Sequence, residues 1–191
     1  MDKKQQYLET SLKHLQIADH IAYVTYPLVN EKKLLLKIFE EIHKSLISLI
    51  TAILIYENKK NKIKLYIDNE ENVKNYELKP GECRVLDHYK NAFSSSGSKS
   101  QNMRKEHFCD IKNFVKLSQN YNINPEEIKK ILDIIEINNK HKNSAMEFSR
   151  KEHVVIMLDN LNTYSLDIQK IKEYLALAKS LYIRVNLVLN N

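Results

Sequence analysis

Glycine is almost absent from this chain, with two in 191 residues. A loop that cradles phosphate needs several glycines at fixed spacing, so P-loop and dinucleotide-binding motifs are excluded. Proline is nearly as scarce, with three, and tryptophan is missing. So few breakers in a chain of this length point to long uninterrupted helices. The two cysteines, Cys83 and Cys109, form no Cys-x-x-Cys pair, and a structural zinc site needs clustered Cys or His ligands. They read as free thiols in a reducing, cytoplasmic setting. No apolar run reaches the roughly 18 residues of a membrane span; Leu46 to Tyr56 comes closest. The N-terminus, Met1-Asp2-Lys3-Lys4-Gln5-Gln6, lacks the apolar core of a signal peptide. Neither a cofactor nor a metal is expected.

What is there is ordinary globular material, 43% hydrophobic and 28% charged. The length suits a single domain over residues 1–191 with a proper core. A net charge of +6 invites a nucleic-acid reading. The excess is spread along the chain, however, whereas a phosphate backbone needs clustered charge. Local clusters occur only at Lys59 to Lys64 and at Lys140 to Lys151.

The periodicity predicts a mainly α fold: a helical bundle with a long antiparallel helix hairpin and a small β-hairpin near the C-terminus. Leu8, Leu12, Leu15, Ala18, Ile21 and Ala22 recur at helical steps over residues 4–25. Pro27 is expected to stop this helix, and Asn30 to cap a second one over 31–57. That second helix carries a wide stripe from Leu34 to Leu54, so it should contact more than one neighbour. The serine-rich stretch, about 94–102, reads as a mobile loop. A helix is expected over 103–119. Asn124-Pro125-Glu126-Glu127 then marks another helix start: cap, proline at the first position, acids in the first turn. That helix runs to about Asn139 and extends towards Phe148, with Phe148 anchored in the core. Val154 to Leu158 and Thr163 to Leu166 form the hairpin around a polar turn. Ser165 or Thr163 then caps the last helix.

Chemistry-bearing residues are few. The histidines give no His-Glu-x-x-His frame, and Gly-x-Ser-x-Gly is absent. His107 and His153 each end an Arg-Lys-Glu-His tetrapeptide, beginning at Arg104 and Arg150. Such a pair suits phosphate binding by arginine and proton transfer by histidine. Lys140, Lys142, Asn143, Arg150 and Lys151 make up the candidate RNA-binding strip. On a continuing helix Asn143, Glu147 and Arg150 would share one face, with Glu147 pairing Arg150 or Lys151.

The segment Lys142-Asn143-Ser144-Ala145-Met146-Glu147 resembles the polar motif of the HEPN superfamily, and residues 104–189 resemble its arrangement of long antiparallel helices. Members that cleave RNA carry Arg-x4–6-His. Here Lys142 stands at the arginine, Asn143 at the asparagine and Glu147 at the histidine, so only Asn143 is retained. The resemblance therefore implies a member lacking the nuclease pair, dimeric like many relatives. The leading expectation is a non-catalytic helical interaction or scaffold protein that meets a protein partner or its own copy. RNA or ribonucleoprotein binding through 140–151 is the alternative, and a HEPN-type ribonuclease with a displaced Arg/His pair is the third reading. No membrane contact and no catalytic residue is assigned.

Overall fold

The computed structural model describes residues 2–59, 113–142, 144, 146–150, 152–157 and 163–190. The serine-rich loop, the Arg104/His107 pair, both cysteines, Asn143 and Lys151 lie outside the described residues.

The described chain is mainly helical, with five α-helices and a small antiparallel sheet near the C-terminus. Helix α1 spans Lys3–His20, α2 Tyr26–Val29, α3 Lys33–Lys59, α4 Pro125–Lys142 and α5 Ile168–Asn190. Strands β1 Glu147–Arg150, β2 His153–Met157 and β3 Thr163–Leu166 lie between α4 and α5. They form one sheet in the order β1-β2-β3. The expected hairpin is β2 with β3, and Val154 pairs Leu166 across it. The added strand, β1, takes residues that the helix reading had assigned to a longer α4.

The helix stripes do what their spacing requires. Leu8, Leu15, Ala18 and Ala22 are buried against Leu35, Ile38, Phe39, Ile42, Leu46, Leu49 and Ile53 in one core. Ser11 Oγ lies 2.9 Å from Ser45 Oγ, and His14 Nδ1 lies 2.6 Å from Glu41 Oε2. Rising numbers on α1 meet falling numbers on α3, which makes the expected antiparallel hairpin. The wide stripe of α3 is used internally, for α3 packs on α1, α4 and α5. Burying a leucine-sized side chain is worth about 1.5–3 kcal/mol, so this central helix carries much of the stability.

Capping sets the later elements. Asn124 Oδ1 accepts from the Glu127 N–H at 2.9 Å, and Glu127 Oε2 accepts from the Asn124 N–H at 3.0 Å. This reciprocal capping box satisfies two amides that the helix start would otherwise leave unpaired. Helix α5 is capped by Asp167, whose Oδ1 accepts from the Lys170 N–H at 2.8 Å. That corrects the expectation of Ser165 or Thr163, both of which lie within β3. A carboxylate at this position also meets the positive end of the helix dipole.

Two expectations around Pro27 are also corrected. The chain does not stop there: Ile21–Thr25 widens into a π turn and continues as α2. Proline lacks an N–H and its ring clashes with the carbonyl four residues back. A π turn is one way to relieve that conflict without ending the helix. Asn30 is consequently the C-cap of α2, at φ 50°, with its N–H donating to Tyr26 O at 2.8 Å. Asparagine tolerates this left-handed conformation better than most side chains. Helix α3 starts only at Lys33.

Candidate interaction surface at the sheet end of the bundle

Helix direction brings several features to one end. Asn138 Nδ2 donates to His43 Nδ1 at 3.2 Å and Tyr121 Oη donates to Glu57 Oε1 at 2.7 Å, so α4 runs antiparallel to α3. Arg184 binds Glu127 through its Nη2 at 2.5 Å, so α5 runs antiparallel to α4. The start of α3, the end of α4, the start of α5 and all three strands therefore meet at the end where α1 passes into α2. Lys32 forms an ion pair with Glu152 and ties the α2–α3 turn to the β1–β2 turn. Lys172 sits over the Tyr23 ring at 5.0 Å to its centroid.

The two most exposed apolar residues at this end, Leu28 and Val29, belong to α2, and Tyr23 and Val24 of the π turn lie beside them. Leu28 is 82% exposed, Val29 57%, Tyr23 51% and Val24 47%. Between them Tyr26 is buried, at 7%, and holds the short helix to the core. From Ile21 to Asn30 the sequence has no charged residue. The stripe of α3, by contrast, leaves no large hydrophobic side chain exposed among its described residues. The sequence signal for the corner is the uncharged run itself, which spans Pro27, where the helix is expected to stop.

The basic strip does not form a single helical face. Helix α4 ends at Lys142, and Glu147 and Arg150 belong to β1. The face shared by Asn143, Glu147 and Arg150 thus does not exist. Lys140 is engaged with Glu136 at 2.6 Å, one turn away on α4. Lys142 and Arg150 are exposed and make no ion pair among the described residues. Glu147 pairs with His141 rather than with Arg150, and Lys151, the other expected partner, lies outside the described residues. The junction is completed by Ser144 Oγ, which donates to Met157 O at 2.6 Å. Phe148 is not a core anchor; it stands on the outer face of the sheet, 40% exposed.

Strand alternation explains that placement. Val154, Ile156 and Leu166 point inward and are buried. Phe148, Arg150, His153, Val155, Thr163 and Ser165 line an open groove of about 390 Å³ on the other face. Arg150 and His153 are cross-strand partners. His153 Nδ1 lies 3.6 Å from Asp167 Oδ2, an ion-pair distance rather than a hydrogen bond. A guanidinium here can hold an anion, while Asp167 faces the imidazole and opposes anions beside it.

Ionisable groups deeper in the bundle serve the fold. Burial alone would raise the pKa of Glu41. Hydrogen bonds from Lys44, His14 and Lys37 outweigh burial and hold it at about 2. Burial, followed by its hydrogen bond to Glu57, pushes the Tyr121 hydroxyl well above the usual phenol range.

A scan against protein-family models gives no match, and neither the curated proteins nor the solved structures contain one. Among the described residues, no helix is long and apolar enough to cross a membrane.

Proposed function

We propose that this is a non-catalytic interaction protein that docks an apolar segment of a partner protein on the corner formed by Tyr23, Val24, Leu28 and Val29. The observation that carries the reading is the exposure of Leu28, 82%, within a run that has no charge to keep it in water. A contiguous apolar surface rimmed by polar groups marks contact sites, and the neighbouring cations Lys32 and Lys172 supply such a rim. Under the HEPN-like reading, the chain would be a scaffold member without the nuclease pair.

The test is co-purification from the native cell, with and without RNase, comparing the natural chain with Leu28→Asp. The expected result is a protein that stays bound after RNase and is lost with Leu28→Asp, while melting is unchanged. Retention of the same partner by Leu28→Asp would overturn the reading.

Lys142 and Arg150, exposed and without an ion pair among the described residues, support RNA contact as a second reading. It requires binding that weakens with salt and is lost on reversing both charges. The third reading, a displaced Arg/His nuclease pair, has Arg150 and His153 in one groove in its favour. It requires cleavage of RNA that His153→Ala abolishes.

A further inference from the structure

Strand β1 is an edge of the sheet, and each of its four residues is exposed. Its pairing fixes which backbone groups face the open side. Met157 N donates to Met146 O at 3.1 Å, which makes Met146 and Met157 a hydrogen-bonded pair. Bonded and non-bonded pairs alternate along an antiparallel ladder. Phe148 with Val155 and Arg150 with His153 are therefore bonded pairs, and Glu147 and Ser149 turn their N–H and C=O groups away from β2. No described residue hydrogen-bonds to those outward groups.

An open edge is a template for another strand, and we infer that the occupant is β1 of a second copy of this chain, related by a twofold axis. This goes beyond partner docking at the corner and does not depend on it. The register decides the occupant. Bonded pairs across the axis can join only Glu147 or Ser149 of one copy to Glu147 or Ser149 of the other. Glu147 on the partner's Glu147 places carboxylates opposite each other, which is unfavourable. Ser149 on the partner's Ser149 carries the pairing of Glu147 out into the β1–β2 turn. Glu147 on the partner's Ser149, with the axis passing beside Phe148, gives every outward N–H and C=O of both β1 strands a bond.

That register is also free of like-charge contacts. Glu147 stands across from the partner's Ser149, and Arg150 from the partner's Met146. Phe148 meets the partner's Phe148 in a non-bonded pair, the closer kind, with Cβ atoms roughly 4.5–5.5 Å apart. Both apolar side chains that flank the edge on the outer face, Met146 at 53% and Phe148 at 40% exposure, become covered. The two sheets merge into one continuous sheet.

Sedimentation of the natural chain, under reducing conditions, should show a concentration-dependent dimer. Phe148→Glu and Phe148→Lys, each alone, place like charges across the axis and should weaken the dimer about tenfold or more. An equimolar mixture of the two should restore it as a heterodimer, because the glutamate of one copy then faces the lysine of the other. Restoration also shows that both variants are folded. A natural chain that stays monomeric at every concentration would overturn the proposal. So would dimerisation of Phe148→Glu at the natural strength, or a mixture no tighter than either variant alone. A Phe148→Cys variant with Cys83 and Cys109 replaced by serine gives a second readout. Oxidation should link two copies, and failure to do so contradicts the register.

Discussion

At the residue scale, several buried polar groups are paired between separate elements of the bundle. Tyr121 is 1% exposed and donates to Glu57, itself 2% exposed. Replacing Tyr121 by Phe leaves a buried carboxylate without that donor, and such losses cost about 1–3 kcal/mol. Chemical denaturation should report a loss of that size; a neutral outcome would mean that Glu57 is served by other groups. Glu41 gives a pH signature. Its pKa falls from the ordinary carboxyl value of 4.5 to about 2 in the folded chain. A carboxyl depressed by folding stabilises the protein above its unfolded pKa, and that stability drains away as pH falls through the folded value. The melting temperature should therefore fall between about pH 4.5 and pH 2, and less steeply in Glu41→Gln. Equal slopes would show that the Lys44, His14 and Lys37 contacts do not persist in solution.

At the scale of elements, the parts fixed by apolar spacing were legible in the sequence and the parts fixed by backbone compromise were not. The α1–α3 hairpin follows from stripes that any straight helix would display. The Asn124 capping box follows from residue types at a set interval. Replacing Asn124 by Ala should cost about 0.5–2 kcal/mol, read by thermal melting, and no loss would show that the helix start is held by tertiary packing instead. Pro27 was misread because a proline stops an α ladder but not a π turn, and sequence does not distinguish the two outcomes. Strand β1 was missed because Glu147-Phe148-Ser149-Arg150 carries one large apolar residue, too little to show a period of two. Once β1 is extended, Phe148 moves to the outer face with Arg150, and the helical face of the basic strip is lost. Of the candidate site, the residues Lys142 and Arg150 survive as exposed cations, while their common surface was an artefact of assuming a helix.

At the scale of the whole molecule, packing consumes the long stripe of α3 and leaves exposed apolar surface at the α2 corner. Lys142 and Arg150 lie outside this packing. Reversing both charges should change stability by no more than about 0.5 kcal/mol, measured by thermal melting, and a larger loss would place them in the fold after all. Docking at this corner, the proposed function, is most directly tested by a photo-crosslinking residue at position 28 in the native cell. Lys13, exposed on α1, serves as the control position. A docking surface gives a discrete adduct with one protein from position 28, none from position 13, and loss of the adduct when Val24→Asp is added. No adduct from position 28, or the same adducts from both positions, would contradict docking at this corner.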